Sequence, residues 1–348
     1  MKKAVRTIML GLLVGSLLVL TACGAAGSGK KAGKAIPETE QSDSKKQAEK
    51  TENSKAAAKT EAEQTKEKSA DKKVVYTTFF PVYDLAKRII GDRMEVKLII
   101  RGNQEPHDFE LPAGDMAKIC QADLILYNGA GMESFIPDLK QMAGSAEKFL
   151  DLSQGLTLLE SGTSDGLQQE GENRVVNPHT WLSIKNALIQ LDTIYQKLSS
   201  IDPDYEAEYR RNLEKAQAEF TALEQKFAES LAKVKQADKY FVVSHAAFNY
   251  LAADYGLKQV AVTGISPEDE PTAKQLKKIA DFVKEHQIKT IFFEGKATPK
   301  VAETLAANTG TKTDTLYTME SLTEDEVKMG YLKLMEKNLE ALVKSFEE

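Results

Sequence analysis

From residue 73 onward, apolar residues are grouped in short runs that lack the alternation of a half-exposed strand. Such runs predict strands that are covered on both faces of a sheet. In the first half they are VVYTTF (74–79), VKLII (96–100) and ADLILYNG (122–129). Between them, apolar residues recur at three- and four-residue steps and predict two helices, VYDLAKRIIG (82–91) and DMAKICQ (115–121). Strands and helices in alternation predict a parallel sheet of the α/β class.

The same alternation returns in the last third of the chain and predicts a second α/β sheet. Its predicted strands are KYFVVSH (239–245), KQVAVTG (258–264), KTIFFE (289–294) and DTLYTM (314–319). Its predicted helices are AAFNYLAADYG (246–256), TAKQLKKIADFVKEHQ (272–287), TPKVAETLAANTG (298–310) and the final GYLKLMEKNLEALVKSF (330–346).

A long helical pattern separates the two halves. Residues 204–236 contain neither glycine nor proline, and Pro203 stands where a proline is tolerated at a helix start. The stretch would be on the order of 45–50 Å long. Its apolar stripe needs a packing partner, as in any surface helix, and its length favours a stiff link between two lobes. The stripe consists of Leu213, Ala216, Phe220, Leu223, Phe227 and Leu231.

The first residues have the pattern of a targeting segment rather than of a fold. Lys2, Lys3 and Arg6 precede the apolar run Ile8–Leu20, which is shorter than a comfortable membrane span and fits a signal peptide. Cys23 directly follows Leu-Thr-Ala, an arrangement that resembles the bacterial lipobox, in which cleavage precedes the cysteine and the cysteine carries lipid. The alternative is an ordinary signal peptide with a chance cysteine.

Residues 24–73 contain no aromatic residue, and Ile36 is their only large aliphatic one. Such a composition cannot bury enough apolar surface to offset the entropy of ordering, so it predicts a disordered tether. The predicted organisation is a signal peptide (1–22), a lipidated cysteine with tether (23–72), an N-terminal α/β lobe (73–203), a linking helix (204–237) and a C-terminal α/β lobe (238–348).

Charge and cysteine content narrow the classes of function. The net charge of −6 argues against a nucleic-acid-binding protein. The chain has two cysteines, and if Cys23 carries lipid, Cys120 has no disulfide partner. We expect Cys120 to be a buried thiol on the apolar side of a helix, and stability to come from the core.

Three of the four histidines fall in predicted connections. His107 and His245 follow apolar strands, and His179 lies in NPHTWLS, ahead of a helix predicted to carry Trp181. Ligands of open α/β sheets bind beyond the carboxyl ends of the strands. Neutral imidazole is a common metal ligand, and three imidazoles with one carboxylate suit tetrahedral Zn²⁺. His286 lies on a charged helix end and is predicted to be solvated.

Four segments together resemble the metal-binding lipoproteins of zinc and manganese ABC importers. They are GNQEPHDFELPAGDMAKICQADLILYNGAGMES, VVNPHTWLS, VVSHAAFNYLAADYGL and LYTMESLT, in the family's order across residues 73–348. The resemblance implies two α/β lobes joined by one rigid helix, with the metal in the cleft between them.

The resemblance also implies a set of ligands. His107, His179 and His245 match the family's first three ligands, and Glu320 matches the acidic fourth. Manganese-specific relatives usually have glutamate at the third position, so His245 indicates Zn²⁺, since nitrogen ligands suit zinc. Relatives often have Asn-Pro or Asp-Pro shortly before the fourth ligand, where this chain has Thr318 and Met319. Glu294, at the end of another predicted strand, is the alternative fourth ligand.

The implied function is that of a non-enzymatic, monomeric lipoprotein on the outer face of a Gram-positive cell membrane. It would capture Zn²⁺ and deliver it to an ABC permease driven by an ATPase. Three other interpretations stay open: a manganese importer component, an extracellular zinc hydrolase with Glu294 as general base, and a surface adhesin.

The lipobox predicts that Cys23→Ser releases the protein from the membrane fraction, because serine cannot accept the thioether-linked lipid. Fractionation followed by immunoblotting measures this, and Cys120→Ser, which leaves the lipobox intact, is the matched control. A Cys23→Ser protein that stays in the membrane fraction would place the anchor elsewhere.

Overall fold

The computed structural model describes residues 72–161, 175–294 and 299–348. All of them belong to one compact unit, Thr65–Glu348. The predicted signal peptide, Cys23 and the tether lie outside the described residues. Among the helices of the described ranges, none is long and apolar enough to cross a membrane.

Eight strands and nine α-helices follow one another within the described residues. The strands are β1 Val74–Thr77, β2 Glu95–Leu98, β3 Leu124–Tyr127, β4 Phe149–Asp151, β5 Tyr240–Val243, β6 Lys258–Ala261, β7 Thr290–Phe293 and β8 Lys312–Thr315. The helices are α1 Phe80–Ile90, α2 Ala113–Ile119, α3 Ile136–Ala143, α4 Ile184–Ile201, α5 Glu206–Lys233, α6 Asn249–Tyr255, α7 Ala273–Glu285, α8 Pro299–Thr309 and α9 Glu324–Glu347.

The strands form two four-stranded sheets of matching topology. The orders are β2-β1-β3-β4 and β6-β5-β7-β8, and every pairing is parallel. The predicted fold class, two parallel α/β lobes, is therefore confirmed. In each sheet the connections diverge between the two central strands, which creates a crevice at the carboxyl edge.

Helix α5 spans 28 residues, Glu206–Lys233, and is about 42 Å long. Its predicted apolar stripe is buried, with Tyr209 added at its start. Phe220 stacks on Tyr331 of α9 with ring centroids 5.1 Å apart, and Phe227 stacks on Tyr255 of α6 at 5.3 Å. The helix also packs on α1 and α4 of the first lobe. It thus lies between the lobes, and its buried residues belong to one continuous apolar core that includes residues of both lobes.

The second sheet has its two faces in two different cores. Phe241 and Val243 of β5 belong to the core that the lobes share. Val242 and Ile291 belong to a separate cluster beneath α7 and α8. Successive strand residues point to opposite faces, so both faces are covered, as the apolar runs predict.

Three local predictions about secondary structure are wrong. The last strand ends at Thr315 instead of continuing to Met319, because Met319 has φ +66°, which a strand does not allow. Trp181 lies in a short 3₁₀ turn, Thr180–Leu182, ahead of α4. Helix α9 begins six residues early, at Glu324, and Gly330 interrupts it with φ 79° and ψ 164°, a conformation reserved for glycine.

Two predictions about single side chains had different outcomes. Cys120 is a buried free cysteine, as predicted. His286 is not the solvated residue that its charged surroundings suggested. Its ring centroid lies 4.0 Å from that of Phe282 and 4.7 Å from that of Tyr240, so it packs on two aromatic rings.

We predict that Phe220→Ala lowers the free energy of unfolding by about 3–5 kcal/mol, because a fully buried aromatic ring shared by both lobes is lost. Urea denaturation followed by circular dichroism measures it. Ile189→Ala on α4, where the side chain is 44% exposed, is the control and should change stability by no more than about 0.5 kcal/mol. Equal effects of the two substitutions would contradict a shared core.

Candidate metal centre

Four side chains from four separate connections meet between the lobes. His107 follows β2, His179 precedes α4, His245 follows β5 and Glu320 follows β8. Their ligand atoms all lie within 4.8 Å of one another. The structure thus brings together the three histidines and the carboxylate that the sequence singles out.

The spacing of these atoms fits one metal ion. The Nε2 atom of His179 lies 3.2 Å from Nε2 of His107 and 3.1 Å from Nε2 of His245. Glu320 Oε1 lies 3.0 Å from His107 Nε2 and 2.9 Å from His179 Nε2. Ligands about 2.0–2.1 Å from a tetrahedral Zn²⁺ stand about 3.3 Å from each other, so these four separations are close to the edges of such a tetrahedron.

Glu320 gives an independent sign of a missing partner. The residue is 2% exposed, and its Oε2 atom is buried without a hydrogen-bond partner in the described part of the chain. The Nε2 atom of His245 is 3.5 Å from this oxygen. A buried carboxylate oxygen without a partner is costly, and a cation among the three imidazoles would satisfy it.

Asn177 fixes the orientation of the His179 ring. Asn177 Oδ1 accepts from the backbone N–H of His179 at 3.0 Å and contacts its Nδ1 at 2.8 Å. Asn177 Nδ2 donates to the carbonyl of Ala246 at 2.7 Å, and a carbonyl can only accept, so the amide has one possible orientation. His179 Nδ1 therefore carries the proton, and the lone pair of Nε2 faces the other ligands.

Glu294 fixes the orientation of the His245 ring. Its Oε1 lies 2.5 Å from His245 Nδ1 and accepts from the hydroxyl of Ser244 at 2.6 Å. The carboxylate therefore contacts the ring nitrogen opposite to the one that faces the cluster. Metal-bound histidines commonly have such a carboxylate behind them. The alternative fourth ligand of the sequence analysis, Glu294, lies outside the group of four.

Trp181 holds the Glu320 loop against the His179 loop. Its indole N–H donates to the carbonyl of Thr318 at 2.7 Å, and the ring is 1% exposed. This bond joins a residue two positions after His179 to one two positions before Glu320. Between Thr318 and Glu320, Met319 takes the left-handed conformation, which turns the chain so that the carboxylate points inward.

The His107 loop is tied to the Glu320 loop by the backbone. The N–H of Leu322 donates to the carbonyl of Gly102. A Cβ atom at Gly102 would lie 2.9 Å from the Leu322 carbonyl oxygen, so only glycine allows this approach. The His107 side chain is 10% exposed, whereas those of His179 and His245 are fully buried, so His107 forms the solvent side of the site.

Burial and mutual charge set the protonation of the group. Burial lowers the pKa of His179 to about 4, so its ring is neutral at pH 7. Burial opposes charge on His245 as well, but Glu294 outweighs it and raises the pKa of that ring. Burial of Glu320 favours its neutral form. The neighbouring histidines, His179 foremost, outweigh this and hold the pKa of Glu320 well below its usual range. A metal ion would replace the protons shared by this group, so binding releases protons.

Comparison with known families now identifies the chain. The sequence profile of the family described as the zinc-uptake complex component A, periplasmic (ZnuA), matches residues 75–345. The chain belongs to this family. Members are solute-binding proteins of zinc uptake. The four grouped side chains all lie within the matched range.

Individual relatives are similar over most of the chain. It is 39% identical over 290 residues to a zinc-binding lipoprotein, AdcA, of Streptococcus pneumoniae serotype 4, a match that covers 81% of this chain and 58% of that protein. It is 37% identical over 284 residues to the high-affinity zinc uptake system protein ZnuA of Bacillus subtilis, covering 78% of this chain and 87% of that one. The chain thus spans little more than half of the first of these relatives.

A solved structure gives the same result for the fold. The crystal structure of the Zn(II)-bound ZnuA-like domain of Streptococcus pneumoniae AdcA superposes with a TM-score of 0.68 at 38% identity. The match covers 80% of this chain and all of that one.

Sequence reasoning missed the polar residues that hold the ligands. The sequence pattern gave Asn177 no role, although it orients His179. It also gave no sign of the hydrogen bond from Trp181 to Thr318. One signal was available, since both residues belong to the short segment NPHTW that carries the second histidine.

We predict that Glu320→Ala weakens Zn²⁺ binding more than Glu294→Ala. Loss of a carboxylate behind a histidine ligand costs roughly 10–100-fold in affinity, and loss of a ligand itself costs more. Chelator-competition titration measures both. Glu229→Ala, on the exposed side of α5, is the control and should bind as the unmodified chain. The reverse order would make Glu294 the ligand.

Proposed function

We propose that the protein captures Zn²⁺ outside the cell for import and catalyses no reaction. His107, His179, His245 and Glu320 serve as the four ligands. The observation that carries this proposal is the close spacing of three Nε2 atoms and one carboxylate oxygen. The second oxygen of the same carboxylate is buried and has no hydrogen-bond partner among the described residues. Membership of the zinc-uptake family supports it.

The ligand chemistry favours zinc over manganese. Three imidazole nitrogens and one carboxylate form the proposed shell, and imidazole suits Zn²⁺, whereas Mn²⁺ prefers oxygen ligands. The tetrahedral spacing supports the same choice, because Mn²⁺ takes octahedral oxygen-rich sites. The relatives from Streptococcus pneumoniae and Bacillus subtilis are named for zinc.

The geometry favours capture over hydrolysis. A catalytic zinc site keeps one position open for water. Here Glu320 Oε1 lies within 3.0 Å of two of the ligand nitrogens and takes the fourth position. Glu294, the candidate general base of a hydrolase, has its Oε1 engaged by His245 Nδ1 and the Ser244 hydroxyl.

Delivery of Zn²⁺ to a membrane transporter is the second part of the proposal, and the family's description as a component of a zinc-uptake complex supports it. We propose that Cys23 anchors the chain by lipid to the outer face of the cell membrane, and that a monomer passes Zn²⁺ to a permease driven by an ATPase. A relative named a zinc-binding lipoprotein and another named a protein of a zinc uptake system support this part of the proposal.

A metal titration tests the proposal. We expect the metal-free chain to bind one Zn²⁺ tightly and Mn²⁺ much more weakly, measured in competition with a chelator. His179→Ala, which removes the most central ligand, should reduce Zn²⁺ affinity by orders of magnitude and leave the circular dichroism spectrum unchanged. Equal or tighter Mn²⁺ binding would refute zinc capture, and unchanged Zn²⁺ binding by the variant would remove His179 from the site.

A further inference from the structure

A buried carboxylate in the first lobe has no part in the metal cluster. Glu133 lies between β3 and α3 and is 6% exposed, and among the described residues no lysine or arginine forms an ion pair with it. Three hydrogen bonds offset part of its burial. The hydroxyl of Thr78 donates at 2.6 Å, and the backbone N–H groups of Asn128 and Gly129 donate at 2.7 and 3.1 Å. A buried carboxylate without an opposite charge destabilises a protein unless such donors surround it.

These bonds fix an unusual loop. Gly129, Ala130 and Gly131, which follow the bonded Asn128, have φ values of 77°, 54° and 86°. Three left-handed residues in succession are unfavourable for the one that is not glycine, and the surrounding contacts must hold them. Glu133 supplies part of those contacts, because its two oxygens accept from the N–H groups of Asn128 and Gly129. The N–H of Ala130 itself donates to the hydroxyl oxygen of Ser153 at 3.1 Å.

The loop aims the Asn128 side chain at the segment that carries His179. Asn128 Nδ2 donates to the carbonyl of Pro178 at 2.8 Å, and Asn128 Oδ1 accepts from the hydroxyl of Thr180 at 2.8 Å. The carbonyl partner fixes which end of the amide carries hydrogen. Pro178 and Thr180 are the two neighbours of His179. One amide therefore contacts both neighbours of the histidine, the backbone of Pro178 and the hydroxyl of Thr180. Asn128 and Thr180 are each no more than 1% exposed.

We propose that Asn128 is a positioning residue for the metal ligand His179, and that Glu133 acts through Asn128 by fixing its loop. This role rests on the zinc-capture function proposed above, because it assigns how one ligand of that site is held. The ring of His179 is oriented by Asn177, and Asn128 places the backbone from which the ring extends. A ligand displaced by a fraction of an ångström binds its metal less well, so both contacts act on affinity.

The test distinguishes an effect on the metal site from an effect on the stability of the fold. The variants are Asn128→Asp, which keeps the shape and removes the donor to Pro178, and Glu133→Gln, which replaces one accepting oxygen by a donor. Asp202→Asn is the matched control. Asp202 is also a 6% exposed carboxylate of the first lobe, but it accepts from Arg93 and Tyr209, away from the metal ligands. Tm, the rate of Zn²⁺ release to a chelator, and the visible absorption of bound Co²⁺ are measured on the whole chain.

We expect Tm to fall in all three variants. Zn²⁺ release should become about 10-fold faster or more in Asn128→Asp and Glu133→Gln, with an altered Co²⁺ spectrum, and should stay unchanged in Asp202→Asn. Thr180→Val, which replaces the hydroxyl by a methyl group of similar size, provides a milder variant and should change release in the same direction.

Release rates and Co²⁺ spectra like those of the unmodified chain in Asn128→Asp, Glu133→Gln and Thr180→Val would overturn the positioning role. If Asn128→Asp does not fold, Thr180→Val and Glu133→Gln decide the question by the same criteria. Failure of the unmodified chain to bind Zn²⁺ tightly would be a different result, since it would refute the capture function and this role together.

Discussion

The structure depends on bringing four electron-pair donors from four distant loops to within 4.8 Å of one another. Three imidazole nitrogens and a carboxylate do not attract each other when all are unprotonated, and the site is closed to water on most sides. Some positive charge, a proton or a metal ion, must stabilise Glu320 among them. The fold therefore has to hold the four side chains together, because they do not attract one another.

The convergence comes from the core that the lobes share. Helix α5 packs on both lobes along its buried stripe, and one face of the second sheet belongs to the same apolar cluster as the first lobe. Hydrogen bonds then join the lobes close to the site. Trp181 donates to the carbonyl of Thr318, Tyr331 donates to the carbonyl of Trp181, and Asn177 donates to that of Ala246. Apolar packing sets the distance between the lobes, and these directional bonds set the angles of the ligands.

The sequence predicted the architecture well because the signals for it are local and redundant. Apolar runs without alternation indicated buried parallel strands, and a stripe over residues 204–236 indicated the long helix. The three histidines stood out because so few exist and because each lies in a connection. The loop that carries Glu320 was predicted less well. Met319 has no local preference for a left-handed φ, and tertiary bonds to the neighbouring Thr318 impose it.

Local sequence pattern could not decide whether Glu294 or Glu320 is the candidate fourth ligand. Glu294 and Glu320 both follow strands of the second sheet, and only their family motifs separated them. In space they differ by which nitrogen they contact: Glu294 touches Nδ1 of His245, and Glu320 faces the Nε2 atoms of the cluster. An imidazole has two nitrogens about 2 Å apart, one to bind a metal and one to be oriented. A glutamate on either side is therefore equally compatible with the sequence, and the distinction arises only when the backbone fixes the direction of each ring.

The four grouped side chains are not held equally. His179 and His245 are fully buried, and each has its Nδ1 bonded to a neighbouring side chain. His107 lies on a long irregular connection at the solvent side, and that connection is bonded to the loop of Glu320 through Gly102 and Leu322. Two of the four side chains are thus fixed on folding rather than on metal binding, which favours affinity on the proposed function. The His107 side chain is the most exposed of the four, at 10%, whereas that of Glu320 is 1% exposed. Local opening of a protein begins where contacts are few, so it would begin at the His107 connection. On the proposed function, opening at His107 would allow release of Zn²⁺ without movement of the shared core.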